Sequence, residues 1–196
     1  LILNLPWQQG DTFGVSFVYS NGALEYVGNQ NNYTFYKGSE VALGFIANGV
    51  YTGTSAATGT GIELTTGWSV TAGLEHYWTP ALRTSLYGAY QKYEYNDVAT
   101  SRVCTASAAQ LNLGLVGGAS TCNPDFSVWQ IGSRTVWNPV KNLDVGVEVI
   151  YSKIQSAFGG SANLPSVGSQ AAGTTYNITD LDQVAGMFRV QRNFNP

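Results

Sequence analysis

The sequence predicts an all-β chain, a transmembrane antiparallel up-and-down β-barrel, and three observations carry that expectation. Six segments alternate apolar and polar residues with period two, the pattern of strands that bury one face. The connections between them alternate in length: short turns that carry proline, then long stretches rich in Gly, Ala, Ser, Thr and Asn. Three of the five tryptophans, Trp7, Trp78 and Trp137, fall in or beside the short turns. Composition agrees. Charged residues make up 11% of the 196-residue chain, against about 25% in soluble domains. Aromatics reach 13% and glycines number 23, which suits a surface that is only partly wet.

The elements read as follows along the chain. "LILNL" at 1–5 is the tail of a strand, and "PWQQG" at 6–10 is the first short turn. In 11–20 one side carries Phe13, Val15, Phe17 and Tyr19, and the other Gly14, Ser16, Val18 and Ser20. The first long connection, 21–63, contains "NGALEYVG" and "VALGFIANGVY", which are expected to add short strands outside the membrane. Strand 64–78 sets Trp68, Val70, Ala72, Leu74, His76 and Trp78 against Ser69, Thr71, Glu75 and Tyr77. After "TPA" at 79–81, strand 82–95 places Arg83, Ser85, Tyr87 and Gln91 opposite Leu86 and Tyr90. This is the least clean of the six, since both sides carry tyrosine.

The second long connection, 96–124, holds both cysteines, Cys104 and Cys122. A loop of that length in an oxidising compartment gains about 3 kcal/mol from a staple in the chain-entropy model, so a disulfide is expected. Two free thiols are the alternative. Strand 125–137 opposes Gln130, Gly132 and Arg134 to Trp129, Ile131 and Trp137. "NPVKN" at 138–142 turns the chain into 143–153, where Leu143, Val145, Val147, Val149 and Tyr151 share one side and Asp144, Gly146, Glu148 and Ser152 the other. A third long connection, 154–182, leads to strand 183–194, with Gln183, Arg189 and Gln191 opposite Val184, Phe188 and Val190.

A β-sandwich core and a lipid bilayer both select such faces. Three long structureless loops are uncommon in a soluble domain, whereas outer-membrane barrels have short periplasmic turns and longer external loops. Indoles at one level make an interfacial girdle, because the ring is apolar and its N–H polar; Trp7, Trp78, Trp137 and the terminal Phe194 are assigned to it. An Arg on the lipid side costs about 2–4 kcal/mol near the midplane, so the Arg-bearing side faces inward. That assignment makes Arg83, Arg134, Arg189, Glu75, Glu148, Gln130, Gln191, Ser69 and Thr71 pore-lining. Symmetric pairing across the turns keeps Arg134 with Glu148 and Glu75 with Arg83, with no one-residue slip, which would reverse a face. The guanidinium groups would then bias which ions cross, or else pair with the carboxylates across the lumen.

Other classes are weighed against this reading. No run approaches the roughly 20 apolar residues of a membrane-spanning helix; mean hydropathy is −0.05. A net charge of −3 and a pI near 5.0 leave no basic patch for nucleic acid. An enzyme is not expected. The one histidine, His76, stands on the side opposite Ser69 and Ser85, and neither a G-x-S-x-G nor a metal-ligand spacing is present. No cofactor or metal is expected. A surface β-sandwich acting as an adhesin and a substrate-specific channel for sugars or anions are the alternatives. The latter would need an aromatic track, for which Tyr77, Tyr87 and Tyr93 are the inward candidates.

Three stretches carry a resemblance: "IELTTGWSVTAGLEHYWTPALRTSLYGAY", "DFSVWQIGSRTVWNPVKNLDVGVEVIYSK" and "VAGMFRVQRNF". Together they resemble the C-terminal half of the general-diffusion porins of alphaproteobacteria, of rhizobial and brucella type, from about Pro6 onward. The resemblance implies a 16-stranded homotrimeric barrel in the outer membrane of a Gram-negative bacterium, in contact with lipid and lipopolysaccharide and passing ions and small hydrophilic solutes. In such porins a folded-in acidic loop faces a basic wall. Arg83, Arg134 and Arg189 would belong to that wall, with the loop upstream. One departure stands out: Phe194 is followed by Asn195-Pro196 rather than ending the chain. Residues 1–196 are expected to be one barrel domain, the C-terminal part of a longer chain. Leu1 follows no signal peptide, so a processed or internal start is expected. Six strands and a tail leave two open edges, which further strands or further copies would close.

Overall fold

The computed structural model describes residues 1–28, 32–53, 55, 57–110, 114–115, 121–164 and 173–194. Parts of the three long connections, and Asn195-Pro196, lie outside the described residues. The strands in chain order are β1 (Ile2–Asn4), β2 (Thr12–Asn21), β3 (Tyr33–Lys37), β4 (Glu40–Gly44), β5 (Gly49–Val50), β6 (Glu63–Leu64), β7 (Thr66–Thr79) and β8 (Leu82–Glu94). Helix α1 (Asp97–Gln110) follows, then β9 (Gly114–Leu115), β10 (Phe126–Val140), β11 (Leu143–Gln155), β12 (Gly160–Leu164), β13 (Thr174–Ile178) and β14 (Leu181–Arg192).

The long alternating strands form one antiparallel sheet in the order β1-β2-β7-β8-β10-β11-β14. This is the up-and-down meander of a β-barrel, with β1 and β14 as open edges. The strands end within three residues of the sequence-based bounds, because the alternation itself defines how far each side can pair. Register follows from the same cause: Arg134 pairs with Glu148 and Glu75 with Ser85, so every polar set lies on one face.

The β7–β8 and β10–β11 hairpins each carry a bulge. The register shifts between Tyr77 and Thr79 before "TPA" and between Trp137 and Val140 before the second turn. Pro139, which has no N–H for a ladder, sits inside the second irregularity. Asn142 then closes the turn at φ 67°, a left-handed conformation that Asn adopts more readily than most residues. The two turns are tied together, since the Asn138 N–H donates to the Ala81 carbonyl at 2.7 Å.

The long connections are more structured than expected. β3, β4, β13, β12 and β9 make a second, five-stranded sheet, and β5 pairs with β6. Short strands were foreseen in 21–63; their pairing with 154–182 was not. β13 joins β4 in parallel at Asn177–Glu40 and Ile178–Val41. The main core lies between this sheet and the long-connection end of the polar face. Val41, Ala42, Ala157, Ala162, Tyr176 and Ile178 pack there with Tyr93, Phe126, Val128, Ile154 and Leu181. The polar face was expected to be wet throughout, and at this end it is dry. Tyr93, Phe126, Val128 and Ile154 are inward by parity, yet they take an apolar lid instead of water.

Helix α1 falls where a loop was expected. Asn96 caps it, its side-chain Oδ1 accepting the Ala99 N–H at 2.8 Å, and Ala99 and Val103, four residues apart, are buried. A segment so rich in Ser, Thr and Ala shows no helical period in the sequence. Arg102 docks the helix on the β5–β6 pair, donating to the carbonyls of Gly61 and Val50 at 2.7 and 3.2 Å, with Glu63 3.7 Å away. Cys104 and Cys122 are joined as a disulfide, as the sequence suggested.

Candidate functional site

Cross-strand pairing arranges the polar face of the main sheet in rows. Nearest the short turns, Tyr77, Arg83, Val136, Gly146 and Arg189 are neighbours. The next row runs Thr12, Glu75, Ser85, Arg134, Glu148, Met187. Gly14, Gly73, Tyr87, Gly132, Ile150 and Ala185 form the third, and Ser16, Thr71, Ala89, Gln130, Ser152 and Gln183 the fourth. Beyond these, Ser69, Gln91, Val128 and Ile154 lead under the lid. The face therefore grades from charged at the short turns, through small and uncharged polar, to apolar.

All nine residues read as pore-lining lie on this face. Arg83 and Arg189 share a row, and Arg134 stands one row above. The charged rows are internally connected. Arg83 lies 3.7 Å from Glu75 and donates to Asn138 at 3.2 Å, while Ser85 donates to Glu75 at 3.0 Å. Asn138 in turn donates to Asp144. Tyr87 reaches two strands away to donate its O–H to Glu148. Gly132 makes that reach available, because a Cβ there would stand 2.6 Å from the tyrosine ring. Glu148 is therefore engaged by Tyr87, and its register partner Arg134 makes no ion pair among the described residues; the Arg134 Nε is buried with no hydrogen-bond partner there. Arg189 donates to Gln191. Arg83, Arg134 and Arg189 balance Glu75, Asp144 and Glu148 on the face, so it is mixed in charge rather than basic. Higher up, Gln130 donates to Ser152 at 2.8 Å.

Among the inward tyrosines, Tyr77 lies 5.9 Å beneath the Arg83 guanidinium. Tyr93 is fully buried, stacked on Phe126 at 4.6 Å. No continuous aromatic track runs along the described face.

The opposite face is apolar and open. Trp7, Trp78, Trp137 and Phe194, at the short-turn end, are 64, 60, 52 and 85% exposed. The Trp78 indole donates to Thr84, which shares a hydrogen bond with Thr135, so the polar atoms at this rim satisfy each other. A second aromatic level lies at the other end. Trp68 and Tyr90 are 5.1 Å apart, as are Trp129 and Tyr151, with Tyr19 directly opposite Trp68. The sequence reading put Tyr151 on the apolar side of its strand but did not assemble this level. Its signal was the remaining two tryptophans. Trp78 and Trp68 are ten residues apart and Trp137 and Trp129 eight; at about 3.3 Å per residue and a tilt of about 40°, the two levels are about 20–25 Å apart.

His76 has a partner that sequence reasoning missed. Asp11, buried at the entrance to β2, takes the His76 Nδ1 at 2.7 Å and accepts the Tyr77 N–H at 2.8 Å, while Trp78 meets the imidazole edge-on at 4.5 Å. Burial pushes the Asp11 carboxyl up, but the Tyr77 N–H and His76 together outweigh it and hold it below its ordinary value of 3.8. A depressed carboxyl contributes stability above 3.8 that is lost as the pH falls through its folded value. Asp11→Ala is therefore expected to lower the melting temperature at neutral pH. Thermal scans should show the gap to the parent closing once the pH is taken below that range. The hydroxyl opposite His76 in register, that of Thr84, is engaged by Trp78 and Thr135, and no cluster among the described residues could hold a metal ion.

The family model described as "Porin subfamily" matches residues 1–187. No curated protein and no solved structure matches the chain. A match over nearly the whole chain, together with an antiparallel meander that divides a polar from an exposed apolar face, has one conclusion: the chain belongs to the Porin subfamily and is an outer-membrane porin.

Proposed function

We propose that the polar face lines a water-filled channel through which ions and small hydrophilic solutes diffuse passively, and that the apolar face meets lipid. The observation that carries this reading is the grading of the polar face beside an apolar band bounded by two aromatic levels. A band of about 25 Å is what a barrel wall needs. Arg83, Arg134 and Arg189 form the cationic part of the lumen wall, with Glu75, Asp144 and Glu148 interleaved; Ser69, Thr71, Gln130 and Gln191 supply its uncharged polar part. Passing solutes meet charge near the short turns and hydrogen-bonding groups above. Trp7, Trp78, Trp137 and Phe194 make the periplasmic girdle, and the lid of connections lies on the outer side, where it narrows the mouth.

The seven-stranded sheet is the C-terminal portion of a larger barrel in this reading. In an up-and-down meander of seven strands the first and last run in the same direction, so self-closure would require a parallel seam of β1 with β14. Bacterial barrels instead have even strand numbers and no edge. Closure by further strands to 16, assembly as a homotrimer, contact with lipopolysaccharide and an alphaproteobacterial origin follow from the resemblance and complete the proposal. Residues 1–196 form a single domain within it.

The test is a planar bilayer recording of the full-length chain in KCl with a salt gradient. Ohmic steps that close in thirds are expected of a trimeric open pore. Silence from folded, detergent-soluble protein would remove the diffusion reading.

A further inference from the structure

A groove of about 710 Å³ opens on the apolar face of β2, β7, β8 and β10, a volume within the range of about 300–1,000 Å³ that bound small molecules occupy. Its floor is Ala72 and Gly88, direct partners across β7 and β8. Phe13, Leu74 and Leu86 wall it on the short-turn side and Tyr90 and Trp129 on the other; Ile131, the partner of Gly88, flanks the floor, and Trp7 closes the lower end. The groove exists because two small residues, Ala72 and Gly88, meet on the apolar face between rows of large ones. From Leu86 to Tyr90 it follows the strands for about 13 Å, roughly half of the 25 Å band. It runs along the strands, as a lipid chain in one leaflet would.

Two lysines stand at the upper end of this groove. Lys153 is the direct cross-strand partner of Trp129, and Lys92 lies two residues above Tyr90. The carboxylates facing them are Glu94, 2.7 Å from the Lys92 Nζ, and Asp182, opposite Lys153 in register and 4.0 Å from Lys37. These are exposed pairs, which hold weakly and exchange partners readily. Cations directly above an apolar slot match the polarity of an amphiphile, with its chain below and its anionic head above. A protein ridge from a second copy has no need of that polarity.

We propose that this groove seats one acyl chain of a phosphate-bearing lipid, with the phosphate at Lys92 and Lys153. The proposal rests on the apolar face being the lipid face. It makes this stretch of the wall a specific site rather than an average contact with solvent-like lipid.

Native mass spectrometry of the delipidated full-length chain, titrated with phosphatidylglycerol or with a neutral galactosyl diacylglycerol, tests it. The parent should retain phosphatidylglycerol preferentially. Ala72→Leu, which fills the floor in an apolar environment, should weaken retention of both lipids about tenfold without changing the oligomeric state. Lys92→Gln with Lys153→Gln should abolish the preference and leave the neutral lipid's binding unchanged. Equal retention by the parent and Ala72→Leu would overturn the proposal, as would dissociation of an oligomer by Ala72→Leu, since the groove would then belong to a second copy. Channel recordings on the same samples separate this outcome from failure of the pore reading, because none of the three substitutions touches the polar face.

Discussion

Gly44→Leu is expected to lift the lid from the mouth of the proposed channel. Gly44 ends β4 and lies against Phe126, so closely that a Cβ would stand 2.4 Å from the ring. The phenylalanine cannot swing away. It is stacked on Tyr93 on one side and has Tyr33 6.0 Å away on the other, and it is 3% exposed. Overpacking of this kind costs about 1–3 kcal/mol, and here it falls on the junction between the lid sheet and the barrel wall. The strands themselves keep their own hydrogen bonds, so the sheet should survive while the lid opens. The expected readout is faster proteolytic cleavage within the long connections of the folded protein, together with a larger single-channel conductance. Unchanged cleavage and conductance would mean that the lid does not depend on this contact.

Arg134→Glu is expected to shift ion preference toward cations. Arg134 sits in the charged rows opposite Glu148, yet Tyr87 occupies that carboxylate, which in the proposed channel leaves the guanidinium to act on passing ions. A unit charge about 4 Å from a passing ion is worth about 1 kcal/mol in water, and salt screens part of it. Reversing the charge changes the wall by two units, so the anion-to-cation permeability ratio should fall several-fold, read from the reversal potential in a salt gradient. Arg83→Glu should do less. Arg83 is already held by Glu75 and Asn138, and its charge is partly spent within the wall. Equal shifts at the two positions would contradict the division of roles drawn from the contacts.

The difference between these two arginines marks the limit of what the sequence makes legible. Alternation locates the six long strands of the main sheet and both of their faces, because a period of two is a property of consecutive residues. Register across the short turns is equally local, so Arg134–Glu148 could be read from the turn length. Which partner Glu148 actually holds could not, since Tyr87 arrives from two strands away over a glycine that only the pairing brings beneath it. The lid is invisible for the same reason. Val41 and Ile178 meet across more than a hundred residues, and nothing in 21–63 marks 154–182 as its partner. The Asp11–His76 pair shows a subtler failure. Parity rightly put His76 on the apolar face; the buried carboxylate that engages it, Asp11, stands just before β2, on a neighbouring strand that only the pairing of β2 with β7 brings beside it. The upper aromatic level, by contrast, was within reach. Trp68 and Trp129 stand at the strand ends opposite the short turns, and a count of residues between tryptophans would have found them.

The central claim is that one face of the sheet meets water and the other lipid. Neighbouring residues test it most directly. Gln130 and Ile131 are adjacent in β10 and point to opposite faces; the native cysteines are tied in a disulfide, so a single new thiol can be read alone. Gln130→Cys and Ile131→Cys should be exposed to a charged, membrane-impermeant methanethiosulfonate in intact outer membranes, and labelling measured by mass shift. Rapid labelling at position 130 with protection at 131 is the predicted result, and Thr71→Cys and Ala72→Cys should repeat it on β7. Equal labelling of both faces, or labelling of the apolar face alone, would contradict the account.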